Sequence, residues 1–387
     1  MAEIAIGATA RKESGGARAP RLAFIDNIRW SMIVLVLSMH AADTYSPFGN
    51  WYYVDRRPAE LATEIFFGIY QSFLQAFFMA LLFLVAGYFS AAAYDRKGFA
   101  PFVRDRFLRL GVPTLLYMFA IGPLTQYFLS RTWGTGGFAH QWWVHLADGE
   151  FLSETGPMWF CAVLLAFSVL YGLARLAGWR ESAVEPRWHG IAIFAGVMAL
   201  ATFLVRAVIS DDKSVLNMHP GDFAQYVLMY VAGAYGYRGN WLAGLSDRFC
   251  LRAAAFALGL SVPLLAALVL LGGGLHGDTA EYSGGFNAVS AGKCLWEALV
   301  CLGMTFLIIA VYRRTFDAQG WLARILSDNA FGVYLIHPPI LIACAMALHP
   351  LVIHPIAKAA LLTAVAAVAS FAASALIVRK SPLRAIV

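Results

Sequence analysis

The sequence predicts an all-α protein: a polytopic membrane bundle of about ten transmembrane helices, with both termini cytoplasmic. Three observations point there. Of the 387 residues, 60% are apolar and only 13% charged, and mean hydropathy is +0.65. An ordinary soluble domain carries about 25% charged residues, so a water-soluble fold could not hide this much apolar surface. Second, apolar runs of about 20 residues, the length that crosses roughly 30 Å of hydrocarbon, recur ten times. Third, Lys and Arg gather in alternate connections. High aromatic content and low charge exclude a disordered chain.

The ten runs fall at 28–45, 66–93, 110–130, 157–178, 189–209, 222–238, 249–272, 289–312, 328–348 and 355–378. The sixth is the shortest, and the second is long enough to tilt or protrude. Residues 1–20 are rich in Ala, Gly and Arg and lack the apolar core of a signal peptide. They are expected to form a disordered cytoplasmic tail before one membrane domain over 21–387, with the first span an uncleaved anchor. The tail carries Arg11, Lys12, Arg18 and Arg21; the second connection carries Arg96, Lys97, Arg104, Arg106 and Arg109. The fourth, sixth and eighth connections and the C-terminus are also basic. This places them on the cytoplasmic side and accounts for the net charge of +6. Lipid phosphates suffice as partners, and nucleic acid is not needed. The cytoplasmic (inner) membrane of a bacterium is the expected location. The five cysteines include no C-x-x-C pair and read as small buried hydrophobes.

The longest outer connections are 46–65 and 131–156. The second holds WGTGGFAHQWWVHLADGE, either a lid facing a substrate or an interfacial aromatic belt. The glycine-rich 271–277 follows no strand and lacks a phosphate-loop Lys, so it reads as a flexible connector.

Ionisable groups inside a bilayer are costly and mark function or a partner. The first span supplies the best set. Arg29 and His40 are eleven residues apart, about three helical turns, so they project from one face about 16 Å apart along the axis. Asp26 and Asp43 fall near the same stripe. A cation at the inner mouth suits an anionic ligand from the cytosol. A deeper imidazole suits proton removal from a hydroxyl. The alternative is a His satisfied by a neighbouring helix and an Arg that snorkels. The functional reading requires that the two groups share one solvent-reachable tunnel.

These residues resemble the first-helix motif of the membrane-integral acyltransferase-3 family, an Arg followed by ten residues and a His. Further segments agree in order. FFMALLFLVAGYFS at 77–90 is similar to the family's second helix, and FVRDRFLRLGVP to its basic connection, with Arg106 and Arg109 before Pro113. PMWF, with Trp159, resembles a family span start. NAFGVYLIHPPI, with Tyr334 and His337, resembles its late segment. IDNIRW and VAGYFS lean toward the glucan biosynthesis protein C branch, whose members resemble membrane succinyltransferases acting on periplasmic glucans.

The resemblance implies transfer of an acyl group from a cytosolic acyl-CoA to a hydroxyl of a carbohydrate or other acceptor, with His40 and Arg29 as the essential pair. On this reading the acyl-CoA phosphates dock at Arg29 and the cluster Arg104, Arg106 and Arg109, since Arg offers forked donors to phosphate. His40 is the general base. Asp43, or a carboxylate from another helix, orients it. Tyr334 and Trp159 are candidates for the oxyanion donor. His337 either lines the acceptor site or is structural. Asp26 accompanies Arg29. Acyl-CoA enters as a donor substrate, with no resident cofactor. No H-E-x-x-H or Cys/His cluster suggests a metal, and His349 and His354 in a short outer turn do not make one. Lys293 and Glu297, four apart, are expected to form an internal ion pair. The prolines at 338 and 339 are expected to break the ninth span. The rival class is a proton-coupled transporter or exporter of a small or carbohydrate substrate, which also places charge in the membrane.

Overall fold

The computed structural model describes residues 22–380 apart from 50, 131–136, 154, 216, 277–278 and 379. The expected cytoplasmic tail, 1–20, lies outside the described residues. The described chain is helical, with no strand among its residues. Its long helices are α1 (Ala23–Tyr45), α2 (Leu61–Lys97), α3 (Phe99–Tyr127) and, after the short α4 (Gly137–Ala147), α5 (Trp159–Leu176) and α6 (Trp188–Arg206). Then follow α7 (Phe223–Arg238), α8 (Asp247–Leu271), α9 (Ala288–Thr315), α10 (Trp321–Leu348) and α11 (Pro355–Ala373).

Eight of these helical segments are long and apolar enough to cross a membrane, so the chain is a multi-pass membrane protein. The other two runs read from the sequence became α1 and α7. Asp26, Arg29, His40 and Asp43 punctuate α1, and α7 has only 16 residues.

The helices divide into an inner and an outer group. In their most apolar stretches, α2 is 72% buried and α9 67%, against 17% for α6 and 22% for α8. The first two form the centre; the second two present their apolar faces to lipid. α2 and α7 touch backbone to backbone. A Cβ on Gly87 would lie 2.0 Å from the Tyr230 carbonyl, and one on Gly233 2.0 Å from that of Leu84. Close packing of small residues replaces the hydrophobic drive that lipid removes.

Two expectations change. The segment with Arg104, Arg106 and Arg109, read as a basic connection, is helical and continuous with the third span. α3 widens into π turns at Phe107–Gly111 and Tyr117–Ile121. Pro113 and Pro123 stand four residues after Arg109 and Phe119, whose carbonyls their rings would otherwise strike. The Phe119 carbonyl instead accepts the Trp142 indole N–H at 2.8 Å, docking α4 onto α3. Trp143 on the same short helix is 65% exposed.

Nor do Pro338 and Pro339 break the ninth span, since α10 runs through them. The Tyr334 carbonyl, four residues before Pro338, accepts from His337 Nδ1 at 2.9 Å. A side chain thus takes over the lost backbone bond.

The glycine-rich connector is pinned where it is described: Gly272 N–H and the Tyr282 hydroxyl both donate to the Leu268 carbonyl. Among the basic clusters read from the sequence, Arg175 pairs with Asp95 (2.9 Å) and Glu181 (3.2 Å), and Arg238 joins both acids. Arg313 donates to Asp247 at 3.0 Å. These basic residues tie helix ends together as well as marking a side. The five cysteines are unpaired, four of them buried.

Candidate active site

The α1 stripe forms as its spacing requires. Arg29 Nη1 lies 3.3 Å from Asp26 Oδ1 at one end, and His40 Nδ1 lies 3.3 Å from Asp43 Oδ2 at the other. The His40 end is built with more support. Gln71 on α2 donates to Asp43 Oδ1 at 2.6 Å and accepts from the Ser46 hydroxyl at 2.8 Å. One carboxylate oxygen is thereby held, and the other faces the imidazole. Directly after α1 the chain turns back over its own end. A Cβ on Gly49 would lie 1.9 Å from the Asp43 carbonyl oxygen, so only glycine fits. The turn brings Trp51 onto His40, rings 3.7 Å apart and 15° from parallel. His337 lies 5.4 Å from His40 at 14°. It is fully buried, with Nε2 unpartnered.

His40 and Asp43 line a cavity of about 1140 Å³. The cavity reaches down to Val36 and Met39 on α1 and across to α6 and α9, and Trp51, Trp159 and Trp296 supply aromatic walls. Its far end is a charge network of which the sequence reading gave only the Lys293–Glu297 pair. Arg206, 2% exposed at the end of α6, pairs with Asp222 at 2.6 Å and Glu297 at 2.8 Å. Lys293 donates to Asp211 at 2.6 Å and stands 3.8 Å from Glu297, the pairing expected from their spacing. Gln75, one turn beyond Gln71 on α2, donates to Asp222 and Tyr226, both at 2.9 Å. The two amides form a polar ladder between the ends.

Of the expected site residues, His40, Asp43, Trp159 and Tyr334 line this cavity. Tyr334 is 4% exposed and its hydroxyl donates to the Pro157 carbonyl, so its proton is already committed. Trp159 leans on Tyr226, ring centroids 5.7 Å apart. His337 is behind His40, outside the lining.

Arg29 sits apart. Its side chain is 43% exposed and its guanidinium lies over the Phe89 ring at 4.9 Å. Arg106 donates to Ser90 at 3.1 Å, while Arg104 and Arg109 are exposed on α3. Among the described residues lining the cavity, Asp26, Arg29, Arg104, Arg106 and Arg109 do not appear. The cavity that His40 lines does not extend to Arg29. Between the two in sequence, Met32 and Leu37 are 2% and 0% exposed.

The sequence reading missed Trp51, Gln71, Arg206, Asp222 and Lys358. Two of them carried a legible signal. Gln71 and Gln75 are amides one turn apart in an apolar helix, and Lys358 is a lone cation inside the last span. It is 2% exposed and donates to Asp55 at 2.7 Å, clamping the loop after α1 onto α11. His349 also faces Asp55, at 3.3 Å, and His354 accepts from the Ile356 N–H at the start of α11.

Residues 22–379 match the family model described as an acyltransferase domain, that of the acyltransferase-3 family. The chain is 23% identical over 345 residues to glucans biosynthesis protein C of Salmonella paratyphi B (strain ATCC BAA-1250 / SPB7), covering 83% of each chain. Proteins of the same name from Salmonella heidelberg (strain SL476) and Salmonella agona (strain SL483) match to the same extent. No solved structure matches it. With a family match across the whole membrane domain and a bundle of membrane-spanning helices around a polar cavity, the chain belongs to the acyltransferase-3 family and is a multi-pass membrane acyltransferase.

Proposed function

We propose that the protein moves an acyl group, succinyl or acetyl, from a cytosolic acyl-CoA to a hydroxyl of an envelope or exported glycan, working in the cytoplasmic membrane. One observation carries this reading. His40 is oriented by Asp43, which Gln71 fixes, at the wall of a cavity of about 1140 Å³. That is space for a sugar unit rather than for a hydroxyl alone. With Nδ1 turned to Asp43, Nε2 is left to accept the acceptor's proton.

The hydroxyl oxygen attacks the thioester carbonyl as its proton passes to His40. The C–S bond then breaks, and the departing CoA thiolate takes the proton back. The donor's phosphates bind at the cytoplasmic face, where Arg29, Arg104, Arg106 and Arg109 supply positive charge. The cavity that His40 lines does not extend to Arg29, so the thioester has to reach it through an arrangement that donor binding favours. The names of the Salmonella relatives support a glucan-like acceptor.

The test is transfer from radiolabelled succinyl-CoA or acetyl-CoA to envelope glycan by the purified protein. His40→Ala is expected to abolish transfer while the protein inserts and melts normally; full activity in that variant would overturn the mechanism. Arg29→Ala is expected to raise KM for acyl-CoA more than for glycan. Equal rises would contradict a donor site at the inner face.

A further inference from the structure

We propose that Trp51 is a positioning residue for this transfer: its indole face holds the His40 ring and stabilises the imidazolium formed as His40 takes up the acceptor's proton. The inference rests on the reading of His40 as general base.

Three observations carry it. First, the rings stack at 3.7 Å and 15°, inside the range at which an aromatic face attracts a cation. Tryptophan gives the strongest such attraction, and it grows when water is excluded. Neutral imidazole gains little from it, so the interaction strengthens as charge develops, which is when it accelerates a reaction. Second, the Trp51 indole N–H is buried without a hydrogen-bond partner among the described residues. That is an unfavourable placement for tryptophan's one polar group. The ring is therefore positioned by its face against His40 and by the path of the loop. Third, the loop is fixed on both sides of Trp51. Gly49 seats on the Asp43 carbonyl, Asp55 N–H donates to the Thr44 carbonyl at 2.8 Å, and the Asp55 carboxylate takes Lys358. Among the described residues the charge on the imidazolium has one direct counterion, Asp43, while the ring near it on α10, His337, is held through Nδ1 by a backbone carbonyl.

The test separates the electronic role from the shape of the residue. Tryptophan with one, two and four fluorines is incorporated site-specifically at position 51, which withdraws charge from the ring face and nearly conserves its outline. The rate is followed as CoA thiol released from succinyl-CoA and from acetyl-CoA in the presence of the source cells' envelope glycan. We expect kcat to fall stepwise with fluorine number, reaching about 10-fold, with KM for acyl-CoA unchanged. Trp51→Phe is expected to retain more activity than Trp51→Leu, which has no ring face. A flat fluorine series, or equal losses in Phe and Leu variants, overturns the inference. If His40→Ala keeps its activity, the general-base reading fails first. If that variant is dead and the fluorine series is flat, only the role of Trp51 falls.

Discussion

The cavity's two ends use buried charge in different ways. At the Arg206 end, two cations and three carboxylates from α6, α9 and the segment between α6 and α7 neutralise one another at 2.6–3.8 Å. At the His40 end one imidazole faces one carboxylate, with two hydrogen bonds of the Gln71 amide behind it and the ring stacked on tryptophan. Strong permanent pairs cancel the cost of charge in the membrane and resist change. On the proposed mechanism the first end is structural and the second carries the chemistry.

Four experiments break or sharpen that division, beginning with the largest effect. His40→Ala should lower kcat by roughly 10²- to 10⁴-fold with no change in melting temperature. Arg206→Leu should do the reverse. It strands Asp222 and Glu297 in the interior, a loss of about 3–5 kcal/mol, seen as a lower midpoint in thermal unfolding in detergent. If Arg206→Leu melts normally but is inactive, the two ends have exchanged roles. Gln71→Leu removes the anchor of Asp43 while leaving His40 in place. Its expected cost is about 10-fold in kcat, with KM for acyl-CoA unmoved; a loss confined to KM would place Gln71 in substrate binding instead.

The smallest effect concerns the loop over His40. Burial pushes the Asp55 carboxyl up, but hydrogen bonding and charge from Lys358, with His349 and Arg57, hold it below the usual carboxylate range. A carboxyl lowered in the folded state contributes stability that is present above its unfolded value, about 3.9, and lost as pH falls through the folded one. Hydrogen exchange in residues 46–60, corrected for intrinsic rates, should stay constant from pH 7 to about 5 and rise only below about 4. Asp55→Asn should raise exchange there at every pH. Exchange in the wild-type loop that rises already near pH 6 would show that the clamp depends on another group.

The bundle was legible because solvent quality is written into composition. Chain segments in hydrocarbon must be apolar and must satisfy their own backbone, so length and hydropathy alone locate helices. The α1 stripe was legible for a similar reason, since helical pitch fixes which side chains share a face. One expectation failed where a helix absorbed a disruption. Pro338 and Pro339 looked like a break, but the His337 side chain satisfied the carbonyl that Pro338 freed. Pro113 and Pro123 were accommodated by π turns in α3. Arg206 and Asp222 are 16 residues apart in sequence with no periodicity linking them, and only the fold brings them to 2.6 Å.

The sequence by itself determined the environment, the helical class, and the common face of Arg29 and His40. These depend on hydrophobicity and on the geometry of a single helix. Only the tertiary structure decided that Trp51 covers His40, that Gln71 anchors Asp43, and that the cavity at His40 runs to Arg206 rather than to Arg29. Those outcomes depend on where separate elements meet, and no local rule of spacing specifies which loop or helix arrives at a given face.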